Sequence, residues 1–254
     1  MGAGQNSAPD SVPRTESAAR PTASPGGHIP PRQHPYEQAL QAGLDDLTAH
    51  PPSQASLASL GAWADGRRIS VPVLDHTFLV DLESRDVFVD GAGRAKRAWA
   101  VLVVHYLQAP DVTSDQREVA FAHFDDCRGY VNVFEKRIVG RFLATSGRTA
   151  DQFAAASERL GAARVSGPGL PYRFFVLPRV PITIARYEGD EEFGPGASIV
   201  YRADAARLLP AEDRVVVTEL LLDALAGKSL VESQAPAPSS PEEPGRSTAE
   251  GGSI

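Results

Sequence analysis

One cysteine, Cys127, stands among 254 residues, with one methionine and two tryptophans. A lone cysteine excludes an intrachain disulfide and a metal cluster held by this chain's cysteines alone. Long apolar runs are also missing. None approaches the roughly 18 residues that a membrane span requires, so no membrane association is expected. The N-terminus lacks the basic-then-apolar pattern of an export signal, and the expected location is cytoplasmic. Positive charge is in deficit, with 25 Lys and Arg against 32 Asp and Glu and a net charge of −7. A nucleic-acid binder needs a basic face to neutralise phosphates, so that class is not expected. No G-x-x-x-x-G-K-[ST], G-x-G-x-x-G or G-x-S-x-G stretch occurs, which removes the most recognisable nucleotide-binding and hydrolase classes.

Proline and glycine, by contrast, are plentiful, and proline gathers at the ends. Residues 1–35 hold seven prolines among Ser, Ala and Gly. Residues 231–254 read VESQAPAPSSPEEPGRSTAEGGSI. Such segments bury too little apolar surface to offset the entropy of ordering, and both are expected to be disordered. Between them about 195 residues remain, enough for one domain, 36–230, with its own core.

Within that domain the periodicity changes several times. Tyr36, Leu40, Leu44 and Leu47 share a helical face, which Pro51 and Pro52 end. Ser53 is placed to cap a short helix over 53–62. Ile69, Val71 and Val73 alternate, then Phe78, Val80 and Leu82, then Val87 and Val89. Brief turns separate these runs, which predicts an antiparallel meander with Pro72 pushing its strand to an edge. AKRAWAVLVVHYLQ returns to helical spacing through Trp99, Leu102, Val103 and Tyr106. Tyr130, Phe134, Ile138 and Phe142 mark another helix that Gly147 should stop, and Thr149 to Gly161 a further one. YRFFVL, PITIARY and ASIVY read as a second group of strands, followed by a short helix and a long final one opening at LPAED. The fold class expected is α+β: two antiparallel strand groups packed with about five helices.

The order of these stretches resembles a known family. PRVP, GDEEF and LPAED, with YEQAL, VPVLDHTFLVDL and VVHYL upstream, are similar to the domain of unknown function 3786 over roughly residues 36–226. The resemblance implies no activity that can be carried over. It does imply relatives joined to a cysteine-rich iron–sulfur segment, and others linked to corrinoid or one-carbon metabolism. This chain departs from the first pattern, since one cysteine cannot build a cluster.

The candidate site residues are few. Asp190, Glu191 and Glu192 of GDEEF could form a hard-cation site if Glu212 and Asp213 of LPAED came alongside, because such cations take several oxygen ligands. The alternative is a solvated turn that Phe193 anchors to the core, with Pro210 at the first position of a helix whose dipole favours the acids. Arg179, stiffened by Pro178 and Pro181, could meet an anion or an acid such as Glu191. His105 is the candidate general base. An acid within hydrogen-bond reach would favour catalysis, whereas enclosure by Trp99 and Leu102 would favour a core histidine. His123 and Cys127 of HFDDC stand four apart, but in a loop with no second pair for zinc, and a structural role is expected. The leading functional expectation is a non-enzymatic binding or accessory protein for a small ligand, cofactor or protein partner. Arg179 and the two acidic motifs would form its edge. The second is an enzyme using His105 or a carboxylate with or without a divalent metal, and the third a structural subunit with a large exposed apolar patch. The sequence names no cofactor and no oligomeric state.

Overall fold

The computed structural model describes residues 33–111 and 113–233. The two tails expected to be disordered lie, except for their innermost residues, outside the described residues. Those innermost residues are ordered: the first helix begins at Gln33, and at the other end Val231 bridges Ala95 while Glu232 N donates to Arg94 O at 2.9 Å.

The chain starts with α1 (Gln33–Ala49) and α2 (Gln54–Ser59), whose N-cap Ser53 accepts from Ser56 N as its residue type suggests. A five-stranded antiparallel meander follows: β1 (Trp63–Asp65), β2 (Arg68–Val73), β3 (His76–Asp81), β4 (Asp86–Val89) and β5 (Gly93–Arg94). Ile69, Val71, Val73, Phe78, Val80, Val87 and Val89 are all buried on one face, as the alternation predicts. Pro72 is placed differently from expectation, since β2 lies between β1 and β3. The physical requirement is nevertheless met locally: β1 pairs only with Arg68 to Ser70, so no neighbour on that side asks Pro72 for an N–H.

Next come α3 (Arg97–Leu107), β6 (Glu118–Ala120) and two 3₁₀ turns, Phe121–His123 and Asp125–Tyr130. The segment between α3 and these turns, polar and without a clear apolar period, therefore holds an edge strand. α4 (Val131–Phe134) and α5 (Gly140–Ala144) are joined through a π-helical turn, Glu135–Val139. Then α6 (Ala150–Arg159), β7 (Ala163–Arg164), β8 (Leu170–Leu177), β9 (Val180–Tyr187), β10 (Gly196–Arg202), α7 (Ala205–Leu208) and α8 (Ala211–Leu225) complete the domain. The second sheet is antiparallel in the order β6-β10-β9-β8-β7. The α+β class read from the sequence is the observed one, and a single apolar core runs through both sheets and the helices.

Two packing features bear on function. α3 packs against α1, α8 and β4, which sets a helical layer beside both sheets. The turn between β8 and β9 is clamped to α2 and α3. Tyr106, fully buried, donates its hydroxyl to Leu60 O at 2.5 Å and accepts from Arg179 N at 3.2 Å. Gly61 sits with φ +71° where a Cβ would come within 2.6 Å of Pro178, so only glycine allows this approach. Among the described residues, no helix is long and apolar enough to cross a membrane. Replacing Tyr106 with Phe leaves Leu60 O and Arg179 N without this partner. The expected loss is about 1–3 kcal/mol in a urea unfolding curve.

Candidate functional site at the His105–Asp213 pair

His105 lies near the end of α3, on the border between its buried stripe and its open side. Asp213 lies in the first turn of α8, where the helix dipole favours a carboxylate. The packing of α3 on α8 brings them together, with His105 Nδ1 to Asp213 Oδ2 at 2.8 Å. The histidine side chain is 34% exposed and the aspartate 13%. His105 is therefore acid-bonded and open rather than enclosed by Trp99 and Leu102. The hydrogen bond to Asp213 raises its pKa, partly opposed by burial. Among the described residues nothing bonds Nε2, so this nitrogen remains available to a ligand.

Groups from three other elements interact with the acids of α8. Tyr36 of α1 has its hydroxyl pKa raised, first by burial and then by the charges of Glu219 and Asp213, while Arg137 lowers it. Arg137, on the π-helical turn, pairs with Glu219 of α8 at 2.5 Å. Such turns recur at functional sites because they redirect side chains within a helix. Tyr130 lies 3.5 Å from Glu212 Oε1 through its hydroxyl.

The position of Asp213 is set by the residue after it. Arg214 turns inward and is fully buried. It donates to Leu209 O at 2.6 Å, to Asp126, and to Cys127 Sγ at 3.1 Å, and its guanidinium lies 4.5 Å from the Phe124 ring centroid. Cys127, itself buried, has its thiol pKa pushed up by burial. The HFDDC stretch thus supplies an anchor for α8. Sequence reading missed Arg214, whose one signal was an arginine at the start of an apolar helix, and missed Tyr36 as a neighbour of the site.

The remaining predicted site residues are placed elsewhere. Asp190 Oδ1 accepts from Glu192 N at 2.9 Å and Phe193 N at 2.7 Å, and Asp190 N donates to Phe193 O at 2.8 Å. These backbone bonds, that to Phe193 first, lower its pKa. GDEEF is a turn closed on itself. Glu191 and Glu192 are exposed, and Phe193 is 69% exposed rather than anchoring the turn in the core. Arg179 binds Ser59 O at 2.9 Å and the buried Asp204 at 3.2 Å. Among the described residues no hydrogen bond or ion pair joins Asp190, Glu191 or Glu192 to Glu212, Asp213 or His105, and no three His, Cys, Asp or Glu side chains converge as a metal site. Among the described residues, then, Asp190 is bonded within its own turn, Arg179 meets Ser59 and Asp204, and Asp213 meets His105, with no hydrogen bond or ion pair joining the three segments. Pro210 is the N-cap of α8, one position before the helix proper.

Two outcomes follow. The raised pKa of His105 adds stability that is fully present below its unfolded value and is lost as pH rises through the folded value. Asp213→Asn should lower the imidazole pKa in an NMR titration and destabilise the protein more at pH 6 than at pH 9. Arg214→Met keeps much of the volume but removes the bonds to Asp126 and Leu209. It should cost about 2–3 kcal/mol in chemical denaturation.

Comparison with known proteins finds no match among curated proteins and none among solved structures. A family model does match, over residues 52–224, a span that holds His105, Cys127, Arg179, Asp213 and Arg214 and leaves Tyr36 outside. The chain belongs to the family described as Domain of unknown function (DUF3786).

Proposed function

We propose that the domain binds a small ligand at the open side of the His105–Asp213 pair, with His105 Nε2 as the group that meets it. The observation that carries this reading is the 2.8 Å bond on Nδ1. It fixes the ring and leaves the other nitrogen free on a residue one-third open to solvent. Tyr36 lies within reach of the charges of Asp213 and of the Arg137–Glu219 pair. An accessory or cofactor-binding role fits this arrangement. The corrinoid and one-carbon associations implied by the family resemblance make ligands of those classes the first to try.

A second reading has an observation of its own. A carboxylate on one nitrogen of a histidine holds the ring orientation and stabilises the imidazolium once it takes a proton. The same pair is thus arranged for general acid–base chemistry on whatever is bound.

Native mass spectrometry of the full chain, purified without added metal, tests the site. The expected result is an excess mass over the denatured chain that disappears in His105→Gln. A bare mass in the wild type, or an excess that survives the substitution, would place the ligand elsewhere or remove it.

A further inference from the structure

The second sheet has an outer face, turned away from α8, that the His105–Asp213 pair does not use. Tyr201 marks the inner face by bonding Thr218 of α8. Strand alternation sends Arg173, Phe175, Pro181, Thr183 and Arg202 to the other side. The pairing register defines a grid there. Arg173 faces Thr183, which faces Val200; Phe175 faces Pro181, and Arg202 faces Glu118. The central strand β9 therefore contributes two short side chains, flanked by long ones from β8, β10 and β6. The result is a concavity of about 130 Å³ lined by Gln116, Glu118, Arg173, Phe175, Thr183 and Arg202, with Pro181 in its floor.

Proline is rare in a central strand because it cannot donate to the ladder. Here the register of β8 shifts between Phe175 and Leu177, opposite Pro181, and the bulge absorbs the defect. The carbonyls of Phe175 and Val176 are taken up by Leu74 N at 3.2 and 3.3 Å. The bulge also leaves Phe175 54% exposed beside the concavity. The polar rim is occupied by an internal carboxylate: Glu118 Oε1 accepts from Arg173 Nη2 at 2.7 Å and from Thr183 Oγ1 at 3.2 Å. Arg202 Nη2 is committed to Ser114 and Asp204. Nη1 of both guanidinium groups is bonded to nothing among the described residues.

We propose that this concavity is a second binding site, for a small carboxylate with a flat apolar part. The carboxylate takes donors of Arg173 and Arg202, and the apolar part lies against Phe175 and Pro181. Glu118 is the built-in competitor, standing on Arg173 where the ligand's carboxylate would bind. Its pair with Arg173 is 44% and 37% exposed, so displacing it is cheap.

The test is an NMR titration of the full chain with benzoate, using benzylamine as the charge-reversed control. Benzoate should shift the amides around Arg173–Phe175, Thr183 and Arg202 saturably, and benzylamine should not. Glu118→Gln should tighten benzoate binding about threefold to fivefold, and Arg173→Gln should weaken it about tenfold. The proposal is overturned if benzoate shifts do not saturate or map elsewhere. It is equally overturned if benzylamine shifts the same residues, or if Glu118→Gln weakens binding.

Discussion

A single buried cation organises much of this domain. The Arg214 guanidinium lies wholly inside the protein, and a charge there is tolerable only when hydrogen bonds and opposite charge surround it. Asp126 supplies the charge, Leu209 O and Cys127 Sγ supply acceptors, and the face of Phe124 adds a cation–π contact. These partners come from the 3₁₀ turns and from the approach to α8, so satisfying Arg214 fixes where α8 begins. Asp213 is one residue away and therefore inherits a fixed position opposite His105. The acid–base pair at the surface is in this sense a consequence of an ion pair beneath it.

The other constraint on the helical layer is Tyr106, one residue from His105 on α3. Its hydroxyl ties α3 to the end of α2 and to the backbone of Arg179. The histidine is thus carried on a helix held from below by Tyr106 and faced by a helix held from below by Arg214. Both anchors are buried polar groups with partners, which specify one arrangement more sharply than apolar contact does. The two candidate sites use different faces. The His105–Asp213 pair belongs to the helical layer, and the arginine-rimmed concavity depends on the pleat and bulge of the second sheet.

Much of this was legible in the sequence. The meander, the α3 stripe, the helical stretch through Phe134 and Phe142, though not its π-helical turn, and the final helix all follow from apolar spacing. His105 stood out as a histidine on the edge of an apolar helix, and Asp213 as an acid at a helix start. GDEEF forms a turn, the alternative to a shared cation site, for a physical reason. Three acids in a row suggest a shared cation, but Asp190 spends its carboxylate on the backbone of its own turn, and its neighbours point to solvent. Arg179, stiffened by Pro178 and Pro181 and able to meet an anion or an acid, pairs with Asp204.

By itself, the sequence determined the α+β class, the order of its longer elements and much of its core, because burial follows periods of 2 and 3.6 that are local properties of the chain. Tertiary structure alone decided which charges meet. His105 and Asp213 are 108 positions apart, Arg214 and Asp126 are 88, and Glu118 and Arg173 are 55. No local pattern encodes such pairings. They arise when packed helices and paired strands bring distant side chains within 3 Å or so, where hydrogen bonding selects among the available partners.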